Sequence, residues 1–415
     1  MEKNIIWGIP AIFLCSSILS SCEKNNTKDL PGDPVEISTE VYQKEIIDSA
    51  NRFAFDLFLP ALNEAAGEEN IMISPFSVTS ALSMTLNGAS GSTFEAIRST
   101  LGLKDKTLQQ INETYLKLMT EMIPVDERVI VEIANSVWVE KRLTVKQPFI
   151  TALQTWYKAE ARDIDVTDPG AVGMVNGWIA DKTHDKIRDM LSDLDPDLAM
   201  LLINAVYFNG KWKFEFDKAK TTQDPFFAPS GSKTVPMMHQ TTNLQTSKKD
   251  DVTLVELPYG QGNYTMMVVL PDEGTSVSEV ASELTPALWK EWTNQLTENG
   301  VHEVELSMPR FKYDYKRLLN SDLSSLGMSV AFTPMADFNN ISDQDLAISR
   351  VLHQTFIETN EEGTEAAAAT VVEMFTTSMP VTMPVKIDRP FLYFIREGST
   401  GTILFMGYVN DPAIN

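Results

Sequence analysis

The sequence predicts an α+β fold, and three observations carry that expectation. The first half of the chain spaces its apolar residues at helical intervals, several later runs read as strands, and one of those runs is apolar on both faces. Residues 41–59 place Ile46, Ile47, Ala50, Phe53, Ala54, Leu57 and Phe58 along one helical stripe. Ser74-Pro75 opens a second helix, with Ser74 as cap, Pro75 at the first helical position and Gly88 near its end. Strands are expected over Val129–Val139, Met200–Phe208, Leu254–Leu257 and Tyr264–Leu270. A hairpin-like pair, Phe391–Arg396 and Thr402–Val409, follows around Glu397-Gly398-Ser399-Thr400-Gly401. The run LLINAVYF is too apolar for a one-sided strand and suits the centre of a large sheet covered on both faces.

Composition narrows the function classes. The 415 residues are 43% apolar and 22% charged, the profile of a soluble globular protein with a large core. Acidic residues outnumber basic ones 57 to 34, a formal net charge of −23, and no basic run offsets this locally. Such a chain is repelled by phosphate backbones, so no nucleic-acid partner is expected. The four histidines (His184, His239, His302, His353) are far apart and none sits in an HExxH pattern, so no metal site is expected. There is no GxSxG elbow, no P-loop and no GxGxxG after a strand. The reading is therefore of a protein that is not an enzyme, with no catalytic residues and no cofactor.

The N-terminus reads as an export signal. Residues 4–21 form a short apolar run after Lys3, too short and too serine-rich for a good membrane span. The only cysteines are Cys15 and Cys22. Leu19-Ser20-Ser21-Cys22 resembles the lipobox of bacterial lipoproteins, which predicts a signal peptide over 1–21 and lipidation at Cys22. An ordinary secretory signal followed by a free thiol is the alternative. Glu23, in place of the aspartate that favours inner-membrane retention, points to the outer membrane and the cell surface. Residues 22–36 are polar, hold two prolines and a glycine, and read as a flexible tether. No comparable linker recurs, so 37–415 is read as one domain despite its length.

The unusual stretch is 361–384, EEGTEAAAATVVEMFTTSMPVTMP. Four alanines favour helix, yet Thr-Val-Val and Thr-Thr-Ser favour extended chain. Read with period two, one face is Thr364, Ala366, Ala368, Thr370, Val372, Met374 and Thr376, which is never charged. The other is Glu365, Ala367, Ala369, Val371, Glu373 and Phe375, which holds every charge. That pattern suits a strand burying one face, while the composition also suits an exposed loop. A segment good for both states is a candidate switch.

From about residue 37 to the end the chain resembles the serpins. The landmarks are collinear: Asn70-Ile-Met-Ile-Ser-Pro-Phe-Ser-Val, Asn204-Ala-Val-Tyr-Phe-Asn-Gly-Lys-Trp212, Met308-Pro-Arg-Phe-Lys312, Asp337-Phe-Asn-Asn-Ile341, Arg389-Pro-Phe-Leu-Tyr-Phe394 and Leu404-Phe-Met-Gly-Tyr408. Glu361-Glu-Gly-Thr-Glu-Ala-Ala-Ala-Ala-Thr370 resembles the hinge of inhibitory members, so Glu361, Gly363, Thr364, Glu365, Ala366, Ala367, Ala368, Ala369 and Thr370 are the candidate hinge. The resemblance implies three sheets, about nine helices, a reactive-centre loop over about 361–384, and suicide inhibition of serine proteases by a monomer. The protease acylates itself on the loop, which then inserts into the main sheet, an established case of strand addition driven by stored strain. About 14 residues at roughly 3.3 Å each would carry the enzyme on the order of 45 Å. The native state must then be kinetically trapped. The resemblance also places His353 at a shutter with Asn204 and the region of Ser74 and Ser77, and Trp212 at the breach where the loop enters.

Counting fifteen residues from Gly363, as in most inhibitory members, puts the reactive bond at Thr377–Ser378, although the loop is about two residues long for the family. Met379 is followed by Pro380, which makes it a poor alternative; Phe375 or Met374 would suit chymotrypsin-like enzymes but leave a shorter insert. No Lys or Arg lies between residues 362 and 385, which disfavours trypsin-like targets and favours elastase-like or subtilisin-like proteases. The alternative function is a non-inhibitory serpin that acts as a surface binding or carrier protein. Thr364 is expected near the surface of the intact protein. Thr364→Arg should then spare folding and block insertion, with Glu365→Arg changing much less.

Overall fold

The structure, a computed structural model, describes residues 32–65, 69–364 and 382–413. Two helices position the site. Helix α1 (Val41–Ala65) buries Ile46, Ile47, Phe53, Ala54, Leu57 and Phe58, the predicted stripe, and runs six residues beyond the expected 59, through Pro60. Helix α2 (Pro75–Leu86) is buried along its whole length. Its start is as expected, but Ser74 caps through its carbonyl oxygen, which accepts from Val78 N at 3.1 Å; the Ser74 hydroxyl makes no capping bond. The helix ends at Leu86 with Asn87 as its C-cap, so Gly88 lies just outside it. Nine α-helices lie among the described residues.

The strands are, in chain order, β1 (Ile71–Ile73), β2 (Val129–Glu140), β3 (Glu160–Ile164), β4 (Met200–Lys211) and β5 (Thr222–Ala228). Then come β6 (Gly231–Lys249), β7 (Val252–Pro258), β8 (Tyr264–Pro271), β9 (Val301–Pro309) and β10 (Phe311–Leu318). The last are β11 (Ile348–Asn360), β12 (Gly363–Thr364), β13 (Met383–Lys386), β14 (Phe391–Glu397) and β15 (Ile403–Val409). Every strand run predicted above lies within one of these elements to within a residue.

They form a six-stranded sheet, ordered β10-β11-β12-β4-β2-β3, and a nine-stranded one, β1-β15-β14-β8-β7-β6-β9-β13 with β5 on β6. The three sheets expected appear as two continuous ladders because β6, 19 residues long, runs through two of them. Its Gly231–Met237 half pairs with β5, Met237–Gln245 with β9, and Gln245–Lys249 with β7.

Strand β4 is covered on both faces, as its apolar run requires. Leu202, Val206 and Phe208 join the main core. Leu201, Ile203 and Ala205 join a second cluster with Trp138, Trp178 and Ile179, beneath the helix Ala171–Lys182. Residues 33–36, assigned above to the tether, are partly fastened down. Val35 donates its N–H to Asn263 Oδ1 at 3.0 Å, and Asn263 Nδ2 donates to Val35 O at 2.6 Å. The compact unit begins at Asp33.

Candidate functional site

The site is the seam between β4 and β11. These neighbours run parallel, with Ile348–Thr355 in register against Met200–Val206. Beyond Thr355 they part. Strand β12 sits in the opening, antiparallel to both: Thr359 faces Thr364 and Asn360 faces Gly363 on one side, Lys211 faces Gly363 and Gly210 faces Thr364 on the other.

The closed part of the seam is held by a buried polar row. Asn135, Asn204 and His353 are register partners across β2, β4 and β11. His353 Nε2 accepts the Ser74 backbone N–H at 3.0 Å, so Nδ1 carries the proton and donates to Asn204 Oδ1 at 2.7 Å. Asn204 Nδ2 donates to Ser77 Oγ and to Asn135 Oδ1 at 2.7 Å. Asn135 Nδ2 in turn donates to Ser80 Oγ at 3.0 Å. The row therefore stitches three strands to α2. Burial disfavours the imidazolium and pushes His353 down to about 3, which keeps the ring neutral and the acceptor on Nε2 available.

The open part is held by Trp212, the hinge and their neighbours. Trp212 N donates to Glu362 O at 2.9 Å, and its indole Nε1 donates to Asn360 O at 2.9 Å. The ring stacks on Tyr259 with centroids 4.3 Å apart. Tyr259 and Thr364 share a hydroxyl hydrogen bond of 2.7 Å. Gly363 is required by close approach: at φ +149°, a Cβ there would lie 2.1 Å from Gly210 O.

Two carboxylates pin the turn before β12. Glu361, 1% exposed, accepts from Arg310 Nε at 2.8 Å and from the Thr221 hydroxyl. Burial alone would raise its pKa, but Arg310 and Thr221 hold it below the ordinary carboxylate value. Glu362, 2% exposed, pairs with Lys218. The cations border an open cleft of about 510 Å³, lined by Lys218, Arg310, Phe311 and Lys312 with Glu358 and Glu361.

A sequence profile for the serpins (serine protease inhibitors) matches residues 48–412. The chain belongs to the serpin family. Human leukocyte elastase inhibitor is 36% identical over 383 residues, covering 89% of this chain and all of that one. An uncharacterised serpin-like protein of Thermococcus kodakarensis is 33% identical over 392 residues, covering 92% of this chain and 89% of that one. Among solved structures, the native thermophilic serpin tengpin gives a TM-score of 0.81 at 33% identity over 92% of this chain and 97% of its own. Human thyroxine-binding globulin with bound thyroxine gives 0.83 at 28% identity over 90% of this chain and all of its own. Serpins as a family act on serine proteases as inhibitors rather than as enzymes.

The structure brings Ser74, Ser77, Asn204 and His353 together as one network, and Glu361, Gly363, Thr364 and Trp212 as another. Ser74 contributes its backbone, and Ser77 is reached through Asn204 rather than by His353 itself. The exposure expected of Thr364 is overturned. Its side chain is 1% exposed and bonded to Tyr259, because β12 already occupies the top of the seam. Thr364→Arg would thus damage the intact serpin and cannot report insertion alone. Glu365, Ala366, Ala367, Ala368, Ala369, Thr370, Thr377, Ser378 and Cys22 lie outside the described residues. Sequence reasoning missed Asn135, Ser80, Tyr259, Arg310, Lys218 and Thr221. Asn135 left a signal, a polar residue inside the apolar run VIVEIANSVWV; the others meet the site only through tertiary contact.

Proposed function

We propose that this serpin is a suicide inhibitor of elastase-like or subtilisin-like serine proteases. Attack falls at Thr377–Ser378, and the freed segment inserts between β4 and β11. The observation that carries the reading is the seam itself. Its upper end is already parted around Gly363–Thr364, and the sequence that follows has an uncharged residue at every second position, small at first and then larger. Below, the seam is closed by neutral side-chain hydrogen bonds that an entering strand can replace with ladder bonds. A carrier function would not need this hinge face, and nothing in the seam favours one. The chain acts as a monomer, held by lipid at Cys22 on the outer surface of the cell envelope; the lipobox-like Leu19-Ser20-Ser21-Cys22 and the polar tether support that placement.

The test is incubation with pancreatic or neutrophil elastase followed by denaturing electrophoresis. A complex that survives boiling is expected with elastase and none with trypsin. The insertion step is probed at Ala366, the next residue of the uncharged face after Thr364. Ala366→Arg should turn the inhibitor into a substrate, while Ala367→Arg on the other face retains trapping. Cleavage without complex in the unaltered protein would overturn the reading.

A further inference from the structure

The chain enters the domain beside the hinge. Asn263, itself buried, spends both ends of its side-chain amide on Val35. Gly262, next to it, lies close to Lys213 and Pro34. The same turn continues into the seam. Lys213 Nζ donates to Gln261 O at 2.8 Å, Gly260 N donates to Lys211 O at 2.7 Å, and Tyr259 bonds Thr364 at 2.7 Å. One turn, Tyr259–Asn263, therefore holds the N-terminal segment on one side and the first residues of the hinge on the other. Both belong to the Lys211 end of β4. The opposite end of that 12-residue strand is Met200, roughly 36 Å from Lys211.

We infer that the membrane lies on the reactive-loop side of this serpin, so that its partners are serine proteases held at the same membrane face rather than proteases free in solution. The inference rests on the inhibitor reading and on the anchor at Cys22. Residues 22–32 are too few to swing the domain clear, since eleven residues reach at most about 40 Å when fully extended. A protease domain of about 230 residues has a radius of gyration near 17 Å and is thus roughly 45 Å across. A soluble protease must enter a gap no wider than itself to meet the loop. A protease with its own short anchor is already in that gap. Insertion would then carry the trapped enzyme toward the Met200 end, away from the bilayer.

The test uses Cys22 as a coupling point, because it is the only cysteine after residue 21. The chain from Cys22 onward is joined to a maleimide lipid in phosphatidylcholine vesicles. A second form carries Cys22→Ala with Asp197→Cys, an exposed position three residues before β4, and is anchored from the opposite end. With soluble elastase, association should be about fivefold slower for the Cys22-anchored form than for the Asp197→Cys form. Lengthening the 22–32 tether with about twenty Gly/Ser residues should recover most of the loss. With elastase coupled to the same vesicles by a short lipid tether, the ranking should reverse. Equal association rates for the two anchorings with both kinds of elastase would overturn the inference. Failure of the inhibitor reading shows separately, as no boil-stable complex from the unanchored chain. Failure of the lipid reading shows as no acylation of Cys22 in cells.

Discussion

The two halves of the seam between β4 and β11 are closed by different chemistry. Below Thr355 the strands touch, and Asn135, Asn204 and His353 join them through neutral, fully buried hydrogen bonds. Above it they are apart, and the gap is filled by Gly363 and Thr364 and braced by ion pairs whose cations, Arg310 and Lys218, reach solvent. A buried neutral row gains from the low dielectric and loses heavily if one member is removed. Half-exposed ion pairs are worth less and respond to salt. On the inhibitor reading proposed above, the lower half would be the lock and the upper half a preformed entrance. On the same reading, insertion would start at this opening and would have to part Thr355 from Val206 and Gln354 from Ala205 before it reached the His353–Asn204 contact.

The largest effect that would break this comparison lies in the lock. Asn204→Ala would orphan His353 Nδ1–H and Asn135 Oδ1, and remove the donor to Ser77. A loss of about 3 kcal/mol is expected from such buried groups. The readout is the denaturant midpoint of the uncleaved protein, with the rate at which it converts to an inactive, uncleaved form. A midpoint shift as small as that of a surface substitution would mean that the row does not hold the seam.

The next effect is pH, and it too belongs to the lock alone. The folded-state pKa of His353, about 3, lies below its ordinary 6.5. As pH falls, the unfolded chain takes up the proton first. The contribution is thus fully present above about pH 6.5 and is lost between 6.5 and 3, at up to about 1.4 kcal/mol per pH unit. By pH 5 the loss should reach about 2 kcal/mol. In His353→Asn this slope should be absent, with only the carboxylate-driven loss at lower pH remaining. Equal slopes from pH 7 to pH 5 in the two proteins would show that His353 is not kept neutral by its burial.

This contrast also explains what was legible in the sequence. The lock sits in regular elements whose patterns are local: Asn204 in the apolar run of β4, Pro75 opening α2. Resemblance to the family then placed His353 beside them. Strands β5, β6, β9 and β10 were far less visible. Strand β6 alternates weakly, carries Lys, Thr, Gln and Asn through most of its 19 residues, and is specified by its partners β5, β7 and β9 rather than by its own pattern. The entrance was misread for a related reason. Thr364 opens a polar, alanine-rich stretch that reads as exposed, and its burial is imposed by Tyr259, Gly210 and Thr359 from elsewhere in the chain. No local pattern encodes a gap between two strands.

The smallest effect sharpens the comparison at that gap. Tyr259 is buried, which pushes its phenol pKa up and keeps the hydroxyl protonated. That hydroxyl bonds Thr364 at 2.7 Å, while the ring stacks on Trp212. Tyr259→Phe retains the stack and removes the bond, leaving Thr364 Oγ1 only a 3.3 Å contact with Thr359. The expected cost is about 1 kcal/mol in the uncleaved protein, less than for any change in the row beneath. Loosened at Thr364, the hinge should leave the gap more often, so Trp212 fluorescence should shift and become easier to quench. Insertion after cleavage should scarcely change, because the entering strand supplies its own ladder bonds. If Tyr259→Phe instead abolished trapping by elastase, the entrance would be part of the lock, and the division between the two halves of the seam would fail.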